Sequence, residues 1–482
     1  MLPRFWPAAL SLGWIILAFG VGEALMSLVA LSADDGEVRA FAIAAAITIF
    51  IGGGMVLATR GRKFEFTFRD AVILTVSAWF VLPVFAALPI VLPPVDLAPV
   101  EAYVEMVSAL TTTGASVMTG LDGRPPSILL WRSLTQWVGG FGIIGLAIIV
   151  LPFLKIGGMQ LFRLESSDRS EKTLPRVRTL AQAVARIYLL ITVLCFITYL
   201  LLGMTPFDAL NHALTTVCTG GFSTHDASFE HFDSAALEWA AVVFMIAGGI
   251  PFLAYLRAFG RGTFRERVEP QIIGLLIVIG VATLALAAYL LAGDGHDFGT
   301  AITETAFNVV SVVTTTGYSS TDYTAWGTFA AVLFFFLAFV GGTSGSTSGG
   351  MKILRFQILG ATILQQIRRL LFPHIVHPVR YGGRPIADEQ IISVGVFMSL
   401  YIATFALVAL IFAATGLDIV TATSAAAAGL GNVGPGLGPI VGPIGSYASF
   451  TDFQQLVFAF AMILGRLEIL SVLVLLAPSF YR

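Results

Sequence analysis

Apolar runs dominate this chain, and their lengths fall into two classes. Runs near 8–31, 40–58, 71–95, 128–153, 183–203, 236–258, 271–292, 391–414 and 453–477 each reach the roughly 20 residues that a helix needs to cross a bilayer. A second class, near 98–110, 205–217, 299–313 and 417–429, is too short to cross and reads as re-entrant or interfacial. A tenth span opens near Trp326, but its apolar run stops at the cluster Gly341-Gly342-Thr343-Ser344-Gly345-Ser346-Thr347-Ser348-Gly349-Gly350, built only from Gly, Ser and Thr. The intact part, 326–340, would rise only about 22 Å as a helix, which puts the cluster at membrane depth. Irregular backbone is tolerated there only where it lines water or lies buried in protein. A flexible linker outside the membrane is the plainer alternative that the local composition also allows.

Composition supports the membrane reading. Hydrophobic residues make up 57% of the 482 positions and charged residues 12%, against about 25% charged in soluble domains. The N-terminus runs into an apolar segment without a clean small-residue cleavage site, so a retained helix is expected and not a removed signal.

The net charge of −2 is less informative than its distribution. If the spans alternate, Arg4, Arg60, Arg62, Lys63, Arg69, the basic residues from Lys155 to Arg186, Arg257, Arg261, Arg265, Arg267, those from Lys352 to Arg384, and Arg482 share one side. Only Arg39, Arg124 and Arg132 fall on the other, with Arg466 inside the last span. The positive-inside rule then makes both termini cytoplasmic and the crossings ten. The outer loops are acidic, with Asp96, Glu101, Glu105, Asp122, Asp226, Glu230 and Asp233 among them. A negative vestibule concentrates cations.

Each short segment ends in a small, polar, Gly-containing peptide. These are Thr111-Thr112-Thr113-Gly114, Val217-Cys218-Thr219-Gly220, Thr314-Thr315-Thr316-Gly317 and Gly431-Asn432-Val433-Gly434. The order span, half-helix, Gly-peptide, span therefore recurs four times at intervals of about 100 residues. Asn211 and Asn308 each lie nine residues before their glycine, which ties the second and third copies together. Copies containing two spans share one orientation and can surround a single axis. One such peptide alone is no more than a Gly-terminated helix end; four at matching positions suit a cation pore. Rings of backbone carbonyls can replace an ion's hydration shell, Gly permits the backbone geometry, and half-helix C-termini aim negative dipoles at the ion. The predicted fold is an all-α polytopic membrane protein of four linked span–pore-helix–span repeats around one central pore, preceded by two extra N-terminal helices. The divisions are 1–65, 66–160, 161–262, 263–384 (with the loop 341–350) and 385–482.

This arrangement resembles the Trk/Ktr/HKT superfamily of potassium transporters over almost the whole chain. The most specific match runs from Gly342 through Gly350 to Met351-Lys352, which is similar to the intramembrane gating loop of TrkH-type proteins; the two extra N-terminal spans point to the same branch. The resemblance implies potassium uptake across the bacterial inner membrane by a homodimer, with a cytosolic TrkA-type nucleotide-binding ring as partner. It also implies that Gly114, Gly220, Gly317 and Gly434 form a selectivity filter whose backbone comes from Thr111, Thr112, Thr113, Val217, Cys218, Thr219, Thr314, Thr315, Thr316, Gly431, Asn432 and Val433. Gly at 114 fits a potassium-selective member. The fourth peptide lacks Thr, so looser discrimination than in a four-fold channel is expected.

Arg466 sits mid-span, where a charge is expensive and usually functional. Glu468, two residues on, cannot share its helix face, so Arg466 either meets a carboxylate from another span or faces the cavity below the filter near the Gly/Ser cluster. In the second case Arg466, Lys352 and the residues from Gly341 to Gly350 would form the gate. Gly429-Leu430-Gly431-Asn432-Val433-Gly434 matches a dinucleotide fingerprint but follows an Ala-rich helical run and precedes Pro435, so the required strand–turn–helix context is missing. With no phosphate loop either, enzymatic activity, an organic cofactor and nucleic-acid binding are not expected; potassium is cargo. His212, His225 and His231 show no ligand spacing and are expected to be solvated or capping. The basic segments 155–186 and 352–384 suit anionic lipid or a partner, with Ser166 to Lys172 as a docking loop. An ion-coupled secondary transporter, which would also use broken helices, is the alternative function.

Overall fold

Almost every described segment is helical, as a chain with few polar side chains requires when its backbone groups must be satisfied away from water. The computed structural model describes residues 6–61, 67–149, 173–258, 269–293, 297–373 and 378–481. Helices α1 (Trp6–Ala33) and α2 (Val38–Thr59) form an antiparallel hairpin at the N-terminus. They approach closely because small residues face each other: a Cβ on Gly52 would stand 2.7 Å from the Leu17 amide nitrogen. Small residues at membrane helix interfaces allow this spacing.

Span helices and short helices then alternate. The first set is α3 (Phe68–Val91), α4 (Pro99–Leu110) and α5 (Pro126–Ile149), and the second is α6 (Thr173–Leu201), α7 (Pro206–Val217) and α8–α9 (Ala235–Gly249, Phe252–Ala258). The third is α10 (Pro270–Gly293), α11 (Phe298–Val313), α12 (Thr328–Leu337) and α13 (Ile353–Leu371). The fourth, after a two-stranded ribbon (Arg380–Tyr381, Arg384–Pro385), is α14 (Asp388–Ala414), α15 (Ile419–Gly431), a single turn at Gly438–Val441, and α17–α18 (Asp452–Arg466, Leu470–Leu476), counting that turn as α16. Proline at the first turn or a capping side chain starts each short helix: Pro99, Thr205 with Pro206, Asp297 and Asp418.

Among the described residues, six helices are long and apolar enough to cross a membrane, and eight if each of two sharply bent pairs is one span. The bends are 92° between α8 and α9 and 106° between α17 and α18. The sequence led to an expectation of ten. The two outside that count are α5, which carries Arg132, Ser133, Thr135 and Gln136 in its first half, and α12–α13, which the Gly/Ser cluster interrupts. The proposed docking loop from Ser166 to Lys172 lies outside the described residues.

Candidate functional site

The four short helices end in one and the same way. The amides of Thr113, Gly220, Thr316 and Val433 donate back to the carbonyls of Ser108, Thr215, Ser311 and Ala428 at 2.9, 2.9, 2.8 and 3.0 Å. One residue before each donor the backbone turns left-handed, at Thr112 (φ 51°), Thr219 (50°), Thr315 (59°) and Asn432 (52°). One residue after it, Gly114, Gly221 and Gly317 take φ of 81°, 79° and 85°, a region that glycine enters without strain.

This register corrects the sequence reading of the second peptide. Gly221, not Gly220, is the counterpart of Gly114 and Gly317, and Val217 is the last residue of α7 and not part of the extended peptide. Thr219-Gly220-Gly221 offers two glycines, and only the hydrogen bond back to the helix selects between them. By the same count Asn308 corresponds to His212 and not to Asn211. Both of those side chains reach a serine beyond the glycine: His212 Nε2 lies 3.0 Å from Ser223 Oγ, and Asn308 Nδ2 donates to Ser320 Oγ at 3.1 Å.

The four peptides close into a ring. A Cβ on Gly114 would collide with the Gly220 carbonyl oxygen, and one on Gly221 with the Thr316 carbonyl oxygen. A Cβ on Gly317 would lie 2.8 Å from the Gly434 nitrogen, and one on Gly434 2.9 Å from the Gly114 oxygen. Each strand thus abuts the next in chain order, and the fourth returns to the first. Threonine hydroxyls brace the first and third strands internally, Thr111 to Thr113 at 2.7 Å and Thr314 to Thr316 at 2.8 Å. Where the fourth strand lacks Thr, Asn432 Nδ2 donates instead to Thr113 Oγ1 at 3.1 Å and to the Met462 carbonyl at 2.8 Å. A cavity on one side of the ring is lined by Gly114, Gly221, Gly317 and Gly434.

The Gly/Ser cluster lies against the ring and is buried but for a half-buried Gly345. Thr219 Oγ1 donates to Thr347 Oγ1 at 3.0 Å, and the Gly349 amide donates to Thr315 Oγ1 at 2.8 Å. A Cβ on Gly349 would stand 2.5 Å from the Gly431 carbonyl oxygen. The cluster therefore touches the second, third and fourth strands. Its other anchors are the kink between α8 and α9, where Thr343 Oγ1 donates to Gly249 O at 2.7 Å, and Gln271 of α10, which accepts from the Ser344 amide at 2.7 Å. Arg466 ends α17, and its Nη2 donates to the Thr347 carbonyl at 2.7 Å. Its Nε and Nη1 have no hydrogen-bond partner among the described residues. Glu468 does not pair with it; Glu468 Oε1 lies 2.7 Å from Arg355 Nη2. Lys352 Nζ donates to the Ser348 carbonyl at 3.2 Å.

With this geometry in view, comparison with known proteins is decisive. A family model for TrkH, described as cation transport protein, matches residues 37–480. The chain belongs to the TrkH family. It is 42% identical over 479 residues to the Trk system potassium uptake protein TrkI of Halomonas elongata, covering 97% of this chain and 95% of that one. It is 36% identical over 479 residues to the Trk system potassium uptake protein TrkH of Vibrio parahaemolyticus, covering 98% of each. The crystal structure of the potassium transporter TrkH from Vibrio parahaemolyticus superposes with a TM-score of 0.91 at 34% identity, over 99% of this chain and 100% of that one.

In this TrkH-family chain several groups around the ring escaped sequence reasoning. Arg132, which the charge count assigned to the outer side, is buried inside α5 with its Nη2 2.6 Å from Glu105 Oε1 of α4. Glu105 also accepts from Ser116 Oγ and the Val117 amide, just beyond Gly114. The pair thus ties the first strand to both of its helices. Gln136, one turn further along α5, donates to the Gly220 carbonyl at 2.8 Å and accepts from the Phe222 amide at 3.2 Å, so it clamps the second strand. Tyr318 reaches Thr215 Oγ1 at 2.6 Å, and Tyr447 donates to the Gly434 carbonyl at 3.1 Å. Arg132 at least carries a signal, an Arg in an apolar run; Gln136 and the tyrosines carry none without a fold.

Proposed function

We propose that this chain takes up potassium through the axis of its four-peptide ring, as its relatives' names say of them. The single observation that carries the reading is the closed ring of four helix-borne peptides with a buried Gly/Ser loop beneath it. Potassium is cargo, stripped of water by backbone carbonyls of Thr111, Thr112, Thr113, Cys218, Thr219, Gly220, Thr314, Thr315, Thr316, Gly431, Asn432 and Val433. The four half-helix C-termini favour the cation there. Asn432 in place of Thr makes the ring unequal around its axis, and this supports looser discrimination among alkali cations.

Arg466 and the loop from Gly341 to Gly350 act as the barrier. A fixed guanidinium held at the Thr347 carbonyl repels a permeating cation, and displacement of the loop removes both obstacles at once. Lys352, bound to the loop's Ser348 carbonyl, moves with it. The basic residues gather on the face that the positive-inside rule makes cytoplasmic, which supports a bacterial inner-membrane protein with both termini inside. The family supports a homodimer and a cytosolic nucleotide-binding ring that acts on the loop, with anionic lipid against the remaining basic residues.

Rubidium-86 uptake into liposomes holding the purified chain, competed with potassium, sodium and lithium, tests the reading. Uptake suppressed by potassium and little by sodium is expected, if necessary after the cytosolic ring is added. Equal competition by all three cations overturns the potassium assignment. Absence of flux even with Arg466→Ala and the loop shortened overturns the pore.

A further inference from the structure

The two loops that follow the first and second ring strands bring three ligand-type side chains together at the outer face. His225 Nδ1 lies 2.5 Å from Asp122 Oδ1, and the His225 and His231 rings stack with centroids 3.4 Å apart and planes 7° from parallel. One donor atom from each of Asp122, His225 and His231 lies within 4.8 Å of the others. The sequence spacing of the histidines gave no hint of this, because Asp122 comes from a different loop and the turn at Ser228–Phe232 folds His231 back over His225.

The cluster is built and not a chance meeting of surface side chains. Phe229 is buried and packs at a tilt against Tyr318, with its amide donating to the Ser319 carbonyl at 3.0 Å. Phe232 sets its ring edge-on to both His225 and His231. The loops are crosslinked twice, since the Leu121 amide donates to the Asp226 carboxylate at 3.1 Å and the Asp226 amide to Asp122 Oδ2 at 3.3 Å. A second carboxylate, Asp208 Oδ1, lies 3.4 Å from His225 Nε2.

We propose that Asp122, His225 and His231 form an external site for a first-row divalent transition cation, zinc being the natural probe. Two imidazoles and a carboxylate are a donor set that such ions take, with a fourth position left to water. Calcium and magnesium prefer all-oxygen shells and are poor fits. An Asp–His pair accounts for Asp122 and His225; His231 brings a second imidazole to the same point. His225 and Asp226 also line the cavity whose floor carries Gly114 and Gly317. A dication at this rim opposes entry of monovalent cations, so it is an inhibitory site.

The test uses the full-length protein in two arms. Equilibrium binding of zinc-65 to the purified chain should show one saturable site, lost in H225A/H231A and weakened by about tenfold in H231Q. His231 is exposed, so the single variant keeps the fold in reserve should the double variant fail to insert. Equal zinc binding by the wild-type chain and H231Q, or none by the wild type, overturns the site, as does equal competition by calcium. In the second arm, external zinc should lower rubidium uptake by about fivefold in the wild type and not in H225A/H231A, each read against its own zinc-free uptake. Zinc binding without a change in uptake upholds the site and overturns inhibition. The first arm does not depend on the uptake reading, so failure of the site and failure of that reading are separable.

Discussion

The ring and the loop beneath it are made from similar residues, Gly and Thr in one and Gly, Ser and Thr in the other, yet they are held in opposite ways. Each ring strand is fastened to the helix it ends, through a bond five residues back, and then to neighbouring elements by buried side chains such as Glu105, Gln136 and Tyr447. The loop takes most of its anchors from remote elements: Thr343 and Thr347 each bond the α8 carbonyls of Gly249 and Gly248, respectively, through both amide and hydroxyl, and Gln271, Thr219, Thr315 and Arg466 add further bonds. Ser348 Oγ and two Arg466 nitrogens there lack partners among the described residues. Local fastening returns a strand to one geometry after every disturbance. Bonds to remote elements, each worth about 0.5–1.5 kcal/mol net, are lost together when the segment moves as a unit. The comparison teaches that rigidity here follows from where the partners sit in the chain, not from residue type.

The strongest way to break this contrast is at the ring. Gly221→Ala combines a left-handed backbone, which costs an L residue about 1–2 kcal/mol, with overpacking of about 1–3 kcal/mol against the Thr316 carbonyl. At about 1.4 kcal/mol per factor of ten, uptake should fall by about a hundredfold in rubidium-86 assays. Gly220→Ala meets the end of the Gln136 side chain instead and should lose less; the reverse ranking would restore Gly220 as the filter glycine.

Arg466→Ala comes next. Like charges about 10 Å apart at an effective dielectric near 20 repel by about 1.7 kcal/mol, so basal flux should rise by about tenfold; unchanged or lower flux in a properly inserted variant removes Arg466 from the barrier. Thr347→Val deletes the hydroxyl that meets Thr219 and the Gly248 carbonyl. Loss of one or two such bonds should raise basal flux by about two- to tenfold, with selectivity intact. If selectivity changes while basal flux does not, the loop belongs to the ring and the contrast fails. The smallest effect is expected from Gln136→Leu, which frees the Gly220 carbonyl; potassium over sodium preference, measured by competition, should drop by about threefold, within the range of one such bond.

Much of the fold was legible because membrane burial writes itself into long apolar runs, and a break in one is conspicuous. The four short helices were placed within a residue or two by run length and by the Gly-containing peptide after each. Register in the second peptide was not legible, because Thr219-Gly220-Gly221 satisfies a glycine pattern twice and the deciding bond runs from Gly220 to Thr215. The burial of Arg132 was not legible, since its partner Glu105 lies in another helix and charge counts cannot see pairing. That Glu468 does not pair with Arg466 was legible from their two-residue spacing, but its actual partner, Arg355, was not, because it comes from a different segment.

The sequence by itself determined that the chain lives in a membrane, that four Gly-peptides recur between spans, that a polar cluster interrupts the third copy, and that an Arg stands inside the last span. Those are one-dimensional properties: apolar length, spacing, and the cost of charge or irregular backbone in hydrocarbon. Only the tertiary structure decided which glycine faces which carbonyl, which residues hold the ring, and what Arg466 touches. It also brought Asp122, His225 and His231 to one point. Each of those depends on contacts between segments scores of residues apart, and closing a loop of that length leaves no trace in the local pattern of either end.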